Sequence, residues 1–121
     1  MPDILLVDDH SIVRTGLKLL IQNFLAHITI DEAYDGNSAI EKIKQKKYDL
    51  VVMDVNMPNT DSFGTLQTIL TFNSSIKIIM FSMNAEEVYA RRYLKMGAMG
   101  YIRKDAPNSE IEKAITGTDG R

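Results

Sequence analysis

Cysteine is absent from this chain of 121 residues. Its absence excludes a disulfide-stapled fold, a thiolate metal site and a cysteine nucleophile, and nothing points to an oxidising compartment. Long hydrophobic runs are missing too: the longest stretches, such as Ile4-Leu5-Leu6-Val7 and Ile78-Ile79-Met80-Phe81, fall far short of the roughly 20 residues that cross a bilayer. Met1-Pro2-Asp3 leads straight into a strand-like run, with no basic region, apolar core and small-residue cleavage site of a secretory signal, so a cytoplasmic setting is expected. Neither charge dominates. With 14 basic and 16 acidic residues the formal charge is −2, which leaves no basic footprint for nucleic acid. The glycine signatures GxGxxG and GxxxxGK[ST] do not occur, arguing against a dinucleotide site or a phosphate loop.

What the chain has is enough apolar material for one core. Hydrophobic residues make up 45% of it, and a folded chain of this length removes roughly two-thirds of its surface from water. Five short aliphatic and β-branched runs recur at even spacing: Ile4–Val7, Ile28–Ala33, Leu50–Asp54, Ile76–Phe81 and Tyr101–Ile102. Each is followed by a helical pattern. Val13, Gly16, Leu17, Leu20, Ile21 and Phe24 form the stripe of an amphipathic helix with Ser11 at the cap position. The second helix is expected after Asp35-Gly36-Asn37, with Ser38 and Glu41 at capping-box spacing and Lys42, Lys44, Lys46 and Lys47 on a solvated face. Phe63, Leu66, Ile69 and Leu70 mark a third, Ala85–Met96 a fourth that stops at Gly97, and Asn108–Thr116 a fifth. The first, third and fourth strands are apolar on both faces, as in a parallel sheet covered on each side. Strict alternation of strands and helices then gives an α/β, doubly wound sheet with right-handed crossovers. Such a fold binds ligands beyond the carboxyl ends of its strands.

At those ends stand Asp8 and Asp9, Asp54, Ser82 and Lys104. A lone loop carboxylate is ordinarily solvated or capping, and Asp9 or His10 could serve the first helix in that way. Three together repel one another unless a cation intervenes, and hard oxygen donors with few others suit Mg²⁺. Asp54 is the candidate nucleophile, since a carboxylate can form an acyl phosphate while a metal ion and the Lys104 ammonium neutralise the phosphoryl oxygens. His10 beside a helix cap reads as a loop residue, and His27 as a surface residue of a turn. Met53 and Met80 are expected in the core and Met57 in packing, with Tyr34, Tyr48, Tyr89 and Tyr93 half-buried.

The stretches Ile4–His10, Leu50–Pro58, Ile78–Ser82 and Gly97–Ala106, in that order, resemble the receiver domain of a bacterial two-component response regulator along nearly the whole chain. The Asp9-His10 step, Arg14 with Gly16-Leu17, and Lys104-Asp105-Ala106-Pro107 are most similar to receivers of the LuxR/NarL type. The resemblance implies a flavodoxin-like five-stranded sheet of order 2-1-3-4-5 with five helices. It implies that Asp54 is the phospho-acceptor, that Asp9, Asp54 and the main-chain carbonyl of Asn56 hold Mg²⁺ with Asp8 acting through water, and that Ser82 and Lys104 each meet a phosphoryl oxygen. Ser82 and Tyr101 form the implied switch. The implied partner is a sensor histidine kinase, with pairing of two receivers on phosphorylation. By the same resemblance, DNA contact is expected of the full-length protein rather than of this domain, and no membrane partner is expected. Residues 1–116 are the expected receiver and 117–121 the start of a linker to an effector domain.

Four positions bear on the family's habit. Ser62 follows Asp61 where glycine is common, Asn56 and Asn84 flank the phosphoryl site at positions that influence phosphate lifetime, and Pro107 opens the last helix. Asn56 also bears on the main rival reading, a Mg²⁺-dependent phosphohydrolase of similar architecture, because such enzymes place a second acidic group two residues after the nucleophile. The chain is therefore expected to catalyse only its own phosphotransfer and slow dephosphorylation. A degenerate receiver acting as a constitutive interaction module is disfavoured by the intact set Asp8, Asp9, Asp54, Ser82 and Lys104.

Overall fold

A computed structural model of the protein describes residues 2–83 and 87–116, with backbone alone at 87–89. Five strands alternate with five helices: β1 Asp3–Val7, α1 Ser11–Phe24, β2 Thr29–Ala33, α2 Gly36–Gln45, β3 Leu50–Asp54, α3 Ser62–Phe72, β4 Lys77–Ser82, α4 Glu87–Met96, β5 Gly100–Arg103 and α5 Asn108–Thr116. All pairings are parallel, and the sheet order is β2-β1-β3-β4-β5. Strand order therefore reverses between β1 and β3, which opens a crevice at their carboxyl ends.

Two apolar layers hold the sheet. Leu5, Val7, Val51, Met53, Ile78 and Met80 point to the side covered by α2, α3 and α4, and Ile4, Leu6, Leu50, Val52, Ile79 and Phe81 to the side of α1 and α5. The double-faced strands of the sequence thus meet helices on both faces. Met53 and Met80 are fully enclosed, and Met57 packs beside them.

Several local expectations change. Ser11 does not cap α1: His10 holds the cap position without a side-chain bond to the helix, and its N–H donates to Asp8 Oδ1 at 2.9 Å. A carboxylate two residues upstream satisfies the turn that a serine hydroxyl was expected to satisfy. The box of α2 is Asp35 with Ser38 rather than Ser38 with Glu41. Asp35 Oδ1 accepts from the Ser38 N–H at 2.8 Å, and Ser38 Oγ accepts from the Asp35 N–H at 3.1 Å, so the helix starts before Ser38. Asp61 caps α3 through the Gly64 N–H. A side chain at Gly64 would drive its Cβ to 2.6 Å from the capping carboxylate, which is why glycine stands there. The expected first residues of the fourth helix, the Tyr89 side chain, Asn84 and the tail 117–121 lie outside the described residues. His27 is exposed in its turn.

Tyr34 is 62% exposed, whereas Tyr48 and Tyr93 are almost fully buried, not half-buried. Tyr48 is enclosed because its hydroxyl finds an acid inside: it donates to Asp31 Oδ2 at 2.6 Å. Lys46, expected among solvated lysines, closes the same cluster, with Nζ 3.1 Å from Asp31 and 3.2 Å from Asp3. The cluster ties β1, β2 and the end of α2 together. The Tyr48 hydroxyl, followed by Lys46, holds the Asp31 carboxyl below its usual range against the opposing effect of burial. A depressed carboxyl contributes stability above its ordinary pKa and loses it as pH falls through the folded value. Tyr48→Phe is therefore expected to cost about 1.5 kcal/mol near neutral pH. In urea unfolding, the gap between variant and parent should narrow once the pH drops below the ordinary carboxyl value of 3.8.

Candidate functional site

Because every strand is parallel, all carboxyl ends emerge along one edge, and the polar residues that terminate the strands are gathered there. β1 runs into Asp8 and Asp9, β3 ends at Asp54, and β4 ends at Ser82. The Lys104 N–H donates to the Ser82 carbonyl at 2.7 Å, extending the β4–β5 ladder by one step and aiming the lysine side chain across the edge. Its ammonium lies 3.0 Å from Asp8 Oδ2 and 3.1 Å from Asp54 Oδ2, with the lysine side chain 9% exposed. The five predicted residues Asp8, Asp9, Asp54, Ser82 and Lys104 thus share one crevice.

Donor atoms of Asp8, Asp9, Asp54 and His10 lie within 4.8 Å of one another. His10 joins from the rim, 62% exposed, with Nδ1 3.2 Å from an oxygen of each of Asp8 and Asp9. Asp54 Oδ1 accepts from the Asn56 N–H at 3.0 Å. Asp54 Oδ2 and Asp9 Oδ1 are buried and receive no directed hydrogen bond from the described residues, although Lys104 and His10 stand nearby. Buried carboxylate oxygens left in this condition are costly unless a cation meets them. Three hard acidic donors with two such oxygens therefore fit a divalent cation, and the carboxylate set suits Mg²⁺ or Ca²⁺ better than a soft metal.

Burial pushes the Asp54 carboxyl above its ordinary range, and the Asp8 charge adds to it. The Asn56 N–H and Lys104 pull the other way without overcoming them. For Lys104, burial opposes the charge, but the Asp8 and Asp54 carboxylates beside it outweigh burial and raise the ammonium's pKa. Asp54 is therefore a poorly solvated carboxylate beside a firmly protonated lysine, an arrangement suited to reaction at Asp54 rather than to stability.

Ser82 is 1% exposed, with its hydroxyl 3.4 Å from Asn56 Oδ1. Tyr101 sits half-buried against the core, its ring 6.0 Å from that of Tyr93. Tyr93 meets Phe63 edge-on at 5.6 Å, and the Arg92 guanidinium covers Phe63 at 4.2 Å. A continuous set of rings thus links β5 to α4 and α3.

A family profile described as "Response regulator receiver domain" matches residues 4–116. The chain belongs to the response regulator receiver family. This receiver is 36% identical over 112 residues to the nitrate/nitrite response regulator protein NarL of Escherichia coli K12, an alignment covering 93% of this chain and 52% of NarL. It spans about half the length of the curated relatives it matches. Among solved structures, a LuxR-family two-component response regulator from Aurantimonas superimposes with a TM-score of 0.90 at 29% identity, over 98% of this chain and 84% of that one. A CheX–CheY–BeF3–Mg²⁺ complex from Borrelia burgdorferi gives a TM-score of 0.90 at 25% identity, over 98% of this chain and 90% of that one. The fold and the LuxR/NarL kinship expected from the motifs are those found.

Two parts of the receiver's site escaped the sequence reading. Arg14 was noted only as a family mark. It donates from Nε to Glu32 at 2.9 Å and from Nη1 to the Asp8 main-chain carbonyl, tying α1 and β2 to the turn that carries the acidic pair. Ser62, which in the sequence stands out only for occupying a position where glycine is common, is buried and donates to the carbonyls of Val55 and Asp54. Both contacts end on main-chain oxygens, which no sequence pattern marks.

The raised Asp54 carboxyl carries a stability consequence. Its ionised form costs folding free energy at neutral pH, and the cost disappears as pH falls below the raised value and the group protonates. With EDTA present, Asp54→Asn should melt higher than the parent at neutral pH, by about 1 kcal/mol of stability, as substitutions at strained functional sites commonly do. Thermal melts at successively lower pH should bring the two curves together.

Proposed function

We propose that this receiver takes a phosphoryl group from the phosphohistidine of a sensor kinase onto the Asp54 carboxylate. In this reading Asp9, Asp54 and the main-chain carbonyl of Asn56 hold Mg²⁺, and Asp8 acts through water. The observation that carries the reading is the Lys104 ammonium between Asp8 and Asp54, beside a third carboxylate at the strand ends. An Asp54 oxygen attacks phosphorus. The new O–P bond forms as the N–P bond to the donor imidazole breaks, and the electron pair leaves with the nitrogen, which takes a proton from solvent. Bound Mg²⁺ supplies charge neutralisation at the phosphoryl oxygens.

The chain's own groups do the rest. The Asn56 N–H holds one Asp54 oxygen in place, and Lys104, tethered through its main chain to β4, pairs with a phosphoryl oxygen. The Ser82 hydroxyl turns from Asn56 Oδ1 toward the phosphoryl group, and the Tyr101 ring responds against Tyr93. Tyr101 is half-buried against the core, and in this reading phosphorylation shifts an equilibrium between two arrangements of its ring. The altered face is that of α4, β5 and α5. Catalysis is confined to the domain's own phosphotransfer and slow dephosphorylation, because Asn56 stands where a hydrolase would carry its second acid.

Kinship with NarL and with a LuxR-family regulator supports a place in a response regulator; we infer a longer cytoplasmic protein with a transcriptional output through a C-terminal helix-turn-helix and pairing of phosphorylated receivers. DNA contact then belongs to that further domain, not to this one. The BeF3 and Mg²⁺ named with the Borrelia CheY support the choice of metal here.

Incubation with acetyl phosphate tests the chemistry. The parent with Mg²⁺ should gain one phosphate equivalent by intact-mass measurement, and Asp54→Asn or EDTA should abolish it. Label on Asp54→Asn, or uptake untouched by EDTA, would refute the assignment. Lys104→Ala should still be labelled, because the metal carries the larger share of neutralisation, yet its amide spectrum should respond weakly to the label.

A further inference from the structure

Ser62 is the first residue of α3 and is 4% exposed. Its single hydroxyl proton serves the Val55 carbonyl at 2.7 Å, with the Asp54 carbonyl at 3.2 Å as the weaker alternative. The helix does not need this bond in order to begin. Asp61 caps it through the Gly64 N–H at 3.0 Å, and Thr65 Oγ1 returns to the Asp61 carbonyl at 2.8 Å. The hydroxyl therefore acts backward on the loop after β3.

That loop contains one peptide unit held at both ends. The carbonyl of the Val55–Asn56 peptide accepts from Ser62, while its N–H, on Asn56, donates to Asp54 Oδ1 at 3.0 Å. The preceding N–H, on Val55, donates to the Phe81 carbonyl at 2.8 Å. A planar peptide restrained at its oxygen and at its nitrogen has little freedom to rotate. Asn56, exposed at the rim, takes its orientation from that plane and offers its side-chain oxygen to Ser82. The glycine common at the Ser62 position in the family has no hydroxyl to supply this restraint.

We infer that Ser62 is a positioning residue of the phosphoryl site: its hydroxyl fixes the Val55–Asn56 peptide, and through it how Asn56 presents its carbonyl to the metal and its side chain to Ser82. Its metal-facing part rests on the reading of the site given above, while the restraint on the peptide stands without metal. Ser62 touches neither substrate nor metal. Its influence passes through main chain, as partners outside a ligand set commonly act.

The test compares the parent, Ser62→Ala and Ser62→Thr in two measurements. In EDTA, amide hydrogen exchange read by NMR should show the Asn56 N–H of Ser62→Ala exchanging about tenfold faster, while the N–H groups of residues 66–70 keep the parent's rates. By calorimetric titration with Mg²⁺, Ser62→Ala should bind about tenfold more weakly, the lower end of the effect of removing a ligand's supporting partner. Ser62→Thr, which keeps the hydroxyl, should restore both. Unchanged Asn56 exchange in Ser62→Ala, a uniform acceleration across α3, or a threonine variant as impaired as the alanine one would overturn the inference. A parent that binds no Mg²⁺ would refute the site reading, whereas the metal-free exchange rate of Asn56 would still decide the role of Ser62.

Discussion

The buried ammonium of Lys104, shared between Asp8 and Asp54, is the interaction on which the rest of the site depends. Two carboxylates from neighbouring strands face it, and its charge offsets their mutual repulsion. It can reach them because β5 pairs with β4 in a register that sets the Lys104 N–H on the Ser82 carbonyl. The parallel sheet, the order that places β3 between β1 and β4, and the close of β5 on β4 are thus conditions for one local charge balance. Away from that edge the middles of β1, β3 and β4 are apolar on both faces of the sheet.

The balance is incomplete, and that is its use. Asp54 remains raised by burial despite its partners, and among the described residues Asp9 Oδ1 and Asp54 Oδ2 find no directed donor. A fold selected for stability alone would place apolar or neutral groups here. On the function proposed above, an added cation or phosphoryl group finds unmet charge there, and its arrival changes which groups Ser82, Asn56 and Lys104 contact. The rings of Tyr101, Tyr93 and Phe63 offer a packed route from that change to α4 and α3, since close-packed side chains exchange discrete arrangements rather than deforming smoothly.

Much of this was legible in the sequence for physical reasons. Double-faced strands such as Leu50–Asp54 carry their parallel setting in their composition, and their boundary appears because Asp54 ends the apolar run. Convergence of Asp8, Asp9, Asp54, Ser82 and Lys104 follows from the alternation of strands and helices. Capping was harder. Asp35 rather than Ser38 opens α2, and Asp8 rather than Ser11 satisfies the turn before α1, because several short polar side chains compete for each helix start and the winner depends on loop geometry. Burial of Tyr48 and the bridging role of Lys46 could not be read locally, since their partners Asp31 and Asp3 are distant in sequence and adjacent only through strand pairing. Contacts to main-chain oxygens, as from Arg14 and Ser62, leave no side-chain pattern at all.

The central claim is that a charge event at Asp54 is reported at the face of α4 and β5. The most direct measurement is the amide spectrum of the unmodified domain as beryllium fluoride is added with Mg²⁺. Coherent shifts are expected at Asp54, Ser82 and Tyr101 and along residues 90–96 of α4, all saturating at one ligand concentration. Shifts confined to the immediate neighbours of Asp54, with Tyr101 and α4 unmoved at saturation, would contradict it.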